Sequence, residues 1–280
     1  MLAATEASAP SLQIDEALVA ARCCSLAFMP PAAADADAYA SQGPTSIKCI
    51  GQVEDAATQT GATMFTTSDG CLVIACRGSS SVQSFRTNLN IGPVPLMTAR
   101  GAHPTARVHA GFQAASKELW RQLEPLLPSG VGGRDSSMRV LLTGHSLGGG
   151  TATMLALKLR ERLEIEPSLI TIAGPRLGNG AFREHYRSLM PRTPAYHMVH
   201  DTDDVIASNT QLWDDLGFEH VGIEVRVDKD RPCLYDDPPI CSADGGPPSL
   251  KKVFVDHCQY LGYYIGLRME HPSVWLRKFW

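Results

Sequence analysis

The chain has 280 residues, 44% hydrophobic and 19% charged, a balance that excludes disorder and coiled coil. Its 25 Lys and Arg against 29 Asp and Glu give a net charge of −4 without a basic cluster, which argues against nucleic-acid binding. The most apolar strand-like run, 71–76, falls far short of the roughly 20 residues that span a bilayer, so no transmembrane segment is expected.

Residues 1–10 are small and polar and read as a frayed end. The first Arg is Arg22 and the first Lys is Lys48, so no secretory signal is expected and the cytoplasm is the expected compartment. A secreted chain that had lost its signal would look the same. Ile14, Ala17, Leu18, Ala21, Ser25 and Phe28 keep helical spacing over 12–28. A Pro and Ala run at 30–39 ends that helix. Strands at 62–67 and 71–76, with the turn Ser68-Asp69-Gly70 between them, read as a hairpin. The stretch 79–109, rich in Gly and Pro, reads as irregular.

Phe112, Ala115, Leu119 and Leu123 mark a helix ending near Pro125, and 128–137 is a loop. Residues 140–143 read as a buried strand that stops at Gly144. A helix follows, its stripe formed by Ala152, Leu155, Ala156, Leu159 and Leu163. Short strands are expected at 169–173, 196–200 and 221–227, and 229–250 is an irregular insert rich in Pro. Strands alternating with helices predict a mostly parallel central sheet with helices on both faces. No linker divides two cores, so one domain is expected over 1–280. Of the eight cysteines, most read as free core thiols, and Cys233 and Cys241 in the Pro-rich loop are the disulfide candidates.

Gly144-His145-Ser146-Leu147-Gly148 is a GxSxG between a predicted strand and a predicted helix. Such a turn needs glycines around the serine because larger side chains would clash in a strained elbow. The elbow lifts the Ser146 hydroxyl out of the sheet, and the helix start behind it offers free N–H groups to a developing oxyanion. The bland alternative is a Gly-rich helix start with a capping serine.

A serine nucleophile needs a base, and the base needs an orienting acid. In this kind of fold the acid, then the His, follow the serine in the chain. His200-Asp201-Thr202-Asp203-Asp204-Val205 supplies three acid candidates at a strand end, where catalytic groups gather in open α/β sheets. Of the later histidines, His185 sits in a charged helical run, His271 is near the terminus, and His197 and His200 lie on the strand that brings in the acid. His220 and His257 remain to contest the base, and order alone does not separate them.

From about Cys49 to Gly262 the chain resembles the class 3 lipases, fungal and plant triacylglycerol-lipase-like α/β-hydrolases. Arg77-Gly78-Ser79-Ser80-Ser81 resembles the family's oxyanion loop, and Val108-His109-Ala110-Gly111-Phe112 its HxGF segment. Gly144 to Gly149 resembles its GHSLGG elbow, and Ala173-Gly174-Pro175-Arg176-Leu177-Gly178 its GxPRxG segment. Val199 to Val205 resembles the acid-bearing segment, with His200 in place of the usual Asn and Ile206 in place of the usual Pro. Asp256-His257-Cys258-Gln259-Tyr260-Leu261 resembles the segment with the catalytic His.

The resemblance implies an α/β-hydrolase fold with Ser146, Asp203 and His257 as the triad and His220 as a structural neighbour. It implies an oxyanion hole from Ser79 and the N–H of Leu147. The segment after the serine run is implied as a lid, with Phe85 where fungal members carry Trp and Asn88 where they carry Asp. Val82, Phe85 and Leu89 there lie at i, i+3 and i+7, so a helix would carry one apolar edge. The expected function is hydrolysis of carboxylic esters of lipids through an acyl-enzyme, at a lipid–water interface, with neither metal nor organic cofactor. The alternatives are a polar-ester hydrolase such as a feruloyl esterase, a phospholipase on the same scaffold, and an inactive lipid- or protein-binding scaffold.

Overall fold

A computed structural model describes residues 11–29, 45–77, 92–131, 138–200, 210–231, 233–235 and 256–265. The expected frayed end, the 30–39 run, Ser79, the segment carrying Val82, Phe85 and Leu89, and the cluster carrying Asp203 lie outside the described residues.

Helix α1 (Ile14–Leu26) has Asp15 and Glu16 in its first turn, where carboxylates oppose the positive end of the helix dipole. The hairpin expected at 62–76 forms from β2 (Thr60–Thr67) and β3 (Leu72–Arg77), antiparallel, with Gly70 at φ 80° in the turn. An unexpected strand, β1 (Ile47–Asp55), pairs antiparallel with β2. Helix α2 (Ala110–Leu123) buries Phe112, Ala115, Leu119 and Leu123, the positions whose spacing predicted it. Strand β6 (Val140–His145) is buried throughout and runs into α3 (Leu147–Leu163). Strands β7 (Ser168–Ile172), β9 (Ala195–Val199) and β11 (Ile223–Val227) match the three short strands expected later in the chain. Within the Pro-rich insert, β12 (Leu234–Tyr235) pairs antiparallel with β11.

These strands form an eight-stranded sheet in the order β1-β2-β3-β6-β7-β9-β11-β12, parallel from β3 to β11. The pleat divides its side chains between two cores. Met64, Leu72, Ile74, Cys76 and Leu142 pack with α2 and α3 on one face. Phe65, Val73, Ala75, Leu141, Ile170 and Met198 pack with α1 on the other. Full burial of each large apolar side chain contributes roughly 1.5–3 kcal/mol, so a sheet buried on both faces is the main source of stability. Helices on both faces were expected, and the run-like apolar strands at 72–76 and 140–143 are the signature of that burial.

The irregular reading of 79–109 is corrected for its described part. Strands β4 (Pro93–Thr98) and β5 (Gly101–His109) form an antiparallel ribbon. They join β8 (Gly178–Asn179) and β10 (Phe218–Glu219) in a four-stranded sheet ordered β10-β8-β5-β4. Strand β4 is at its edge, where Pro93 and Pro95 are tolerated because an edge strand leaves one row of N–H groups outside the ladder. Helix α4 (Gly180–Leu189) starts at Asn179, whose Oδ1 accepts from Phe182 N at 3.1 Å and from Arg107 N at 3.0 Å, tying the helix to β5.

The cysteine reading holds for most of the thiols. Cys23, Cys24, Cys49, Cys76 and Cys258 are buried and form no disulfide. The Cys24 thiol lies 3.3 Å from the Thr143 hydroxyl, and burial pushes it up to about 12. Cys233 is also free, so it does not form the bridge for which its loop made it a candidate; Cys241 lies outside the described residues. Among the described residues no helix is long and apolar enough to cross a membrane.

Candidate active site

Ser146 stands alone between the end of β6 and the first residue of α3, with φ 54° and ψ −129°. A side chain at that φ is strained, and the strain persists only where the surroundings enforce it. Here Ser146 N donates to Ile172 O on β7 at 2.9 Å, and Gly149 N donates to Ser146 O at 2.9 Å. The turn is tight enough that a Cβ on Gly144 would lie 2.2 Å from the Gly148 carbonyl oxygen, so no other residue fits there. Leu147 opens α3, and the first N–H groups of a helix have no intrahelical acceptor. They carry the positive end of the dipole beside the serine.

His257 is buried, in a helical turn that leads to β13 (Gln259–Tyr260) and β14 (Tyr263–Tyr264). Three side chains from the ends of three sheet strands hold this turn. From β6, His145 Nε2 donates to the carbonyl of His257 at 2.7 Å, with the rings 4.8 Å apart. A carbonyl only accepts, so Nε2 carries the proton. Just past β9, His200 Nε2 donates to the carbonyl of Asp256 at 2.8 Å, and its ring packs 4.5 Å from Tyr260. Just past β11, Lys229 Nζ pairs with Asp256 Oδ1 at 2.7 Å. Backbone bonds from Leu261 N to Asp228 O at 3.0 Å and from Gly262 N to Lys229 O at 2.8 Å close the same junction.

The rival histidine has different surroundings. His220 stacks on His197 at 3.9 Å with an interplanar angle of 19°, and His197 Nδ1 meets Thr171 Oγ1 at 3.0 Å. Burial first, then the Arg176 guanidinium, pushes the His220 ring down to about 4. His197 and Thr171 alternate along their strands with Met198 and Ile172, which belong to the α1-side core, so the stacked pair lies on the α3 side. His109 caps α2, its Nδ1 accepting from Gly111 N at 3.1 Å, and His103 and His185 contact each other at 4.7 Å.

Of the residues singled out by sequence, Ser146, Leu147 and His257 lie on segments in direct contact. Ser79, Asp203, Val82, Phe85 and Leu89 lie outside the described residues, although His200 marks where the chain enters the Asp203 segment. Sequence reasoning missed the bonds of His200 and Lys229 to the His257 turn. The one signal was His200 itself, an imidazole where an amide was expected; nothing local pairs Lys229 with a carboxylate 27 positions on.

Residues 73–211 match the family described as Lipase (class 3). A lipase of Rhizomucor miehei is 29% identical over 210 residues, 71% of this chain and 54% of that protein. A secreted mono- and diacylglycerol lipase of Fusarium solani is 28% identical over 174 residues, 61% of this chain and 49% of that protein. The chain thus spans about half the length of these two relatives. Among solved structures, a triacylglycerol lipase whose catalytic centre is described as a serine protease triad superposes with a TM-score of 0.67. It is 27% identical, with 92% of this chain and 98% of that chain covered. The architecture is the α/β-hydrolase fold.

Proposed function

We propose, from the premise that this chain belongs to the class 3 lipase family, that it is a serine hydrolase cleaving carboxylic esters of lipids through an acyl-enzyme. The observation that carries this reading is the strained Ser146 elbow, whose preceding residue bonds directly to the backbone of His257. In the proposed cycle Ser146 Oγ attacks the ester carbonyl and His257 takes its proton. Asp203 orients the imidazole and stabilises its cation. The N–H of Leu147, with Ser79, stabilises the tetrahedral oxyanion. His257 then protonates the departing alcohol, and water attacks the acyl-enzyme by the reverse route.

The base is assigned to His257 on two grounds. Its turn touches the elbow, whereas His220 is committed to a stack with His197. An imidazole held near 4 is also a weak general base at neutral pH, because efficiency peaks when the pKa lies near the operating pH. Val82, Phe85 and Leu89 are proposed as the apolar edge of a lid, on sequence spacing and family resemblance alone. The two cores share one sheet, which supports a single domain. For the compartment, the name of the Fusarium solani relative supports the secreted alternative over the cytoplasmic one.

The experiment is hydrolysis of an emulsified triacylglycerol, a phospholipid vesicle and a soluble short-chain polar ester by one preparation. The lipid reading expects turnover of the emulsion, with a rise in rate as substrate passes its solubility limit. Turnover of the soluble ester alone would replace the lipid reading with the polar-ester alternative, and a preference for vesicles would replace it with a phospholipase.

A further inference from the structure

The turn that presents His257 is held by hydrogen bonds on both sides of one Cα. The bond from His200 Nε2 to the Asp256 carbonyl fixes the peptide plane before His257. The bond from His145 Nε2 to the His257 carbonyl fixes the plane after it. A residue has two soft backbone dihedrals, and pinning the planes on either side sets both. The direction of the His257 Cα–Cβ bond is then fixed, leaving only side-chain rotation for the ring to find its partners. His145 belongs to the elbow itself. His200 does not, and the cycle proposed above gives it no task.

We propose that His200 is a positioning residue for His257, acting through the carbonyl of Asp256. This rests on His257 being the base. The ring of His200 is itself buried and packed on Tyr260, so it is a fixed strut. Lys229 steadies the same residue by pairing with the buried Asp256 carboxylate. The strut also ties the end of β9 to the turn that carries the base, so that turn is set on the sheet before substrate arrives. Pre-set geometry of this kind matters because a displacement of about 1 Å at a reacting group can cost about 100-fold in rate.

The side chain must deliver a donor at the distance of Nε2. A glutamine amide nitrogen reaches about as far, whereas an asparagine amide nitrogen reaches only about as far as Nδ1. Phenylalanine keeps the ring against Tyr260 and supplies no donor.

The test uses the full chain with a soluble short-chain ester, measuring kcat, KM and thermal unfolding for wild type, His200→Phe, His200→Asn and His200→Gln, with Ser146→Ala alongside. His200→Phe and His200→Asn are expected to lower kcat about 10- to 100-fold, with KM within about twofold. His200→Gln should return kcat to within about threefold of wild type. Asparagine is small enough to be accommodated if phenylalanine prevents folding, so the expectation survives that outcome. Folded Phe or Asn variants with wild-type kcat would overturn the proposal. So would a Gln variant as impaired as they are, because then only the shape of the imidazole matters. Undiminished activity in Ser146→Ala would instead remove the triad reading on which the proposal stands.

Discussion

Replacing Ser146 with alanine is expected to lower ester hydrolysis by about 10⁴- to 10⁶-fold, leaving only what binding and oxyanion stabilisation supply without a nucleophile. The fold should tolerate the change. Alanine meets the same backbone penalty at φ 54° that serine already bears, and the turn is held by backbone bonds from Ser146 N to Ile172 O and from Gly149 N to Ser146 O. No bond of the Ser146 side chain caps α3, so none is lost there. Initial rates at high enzyme concentration, with unfolding curves for both proteins, check this. A variant within tenfold of wild type removes Ser146 as nucleophile.

The second large effect is expected at His257. His257→Ala should match the loss in Ser146→Ala, and the double variant should be no worse than either, because nucleophile and base act as one unit. His220→Ala provides the contrast. Its half-buried ring stacks on the buried His197, so its loss should lower stability by about 1–3 kcal/mol while the rate per folded molecule stays within a few-fold. If His220→Ala proves the more damaging in rate at equal foldedness, the base has been misassigned.

The nucleophile and the base differ in how they could be found, because the information lies at different distances along the chain. The elbow is local. The apolar run of β6, Gly144 and the stripe of α3 stand within a few residues of Ser146, and the same closeness makes the turn crowded. The base is not local. Nothing near His220 announces that it stacks on His197, and nothing near His257 announces that His145 bonds to it from 112 positions away.

The strands that went unrecognised have physical reasons as well. In β1 the alternation of Ile47, Cys49 and Val53 is broken by a register shift between Cys49 and Gly51, which hides the period of two. In β4 the prolines that argue against a strand are the residues an edge can accept. By contrast β3 and β6, buried on both faces, carry the apolar runs 72–76 and 140–142 and were legible at once. His200 lies between these cases. Its departure from the expected amide was visible, but its use depends on a carbonyl 56 positions away that only the folded chain brings to it.

If Ser146 is a nucleophile activated by His257, a fluorophosphonate probe should label it. The reagent forms a stable adduct only with a serine whose proton can be removed, with fluoride as the leaving group. Intact mass followed by peptide mapping of wild type and His257→Ala is the measurement. One adduct per chain is expected, on the peptide containing Ser146, and little or none in the variant. An adduct on another residue, or none on a preparation that hydrolyses esters, would show that Ser146 is not the activated nucleophile.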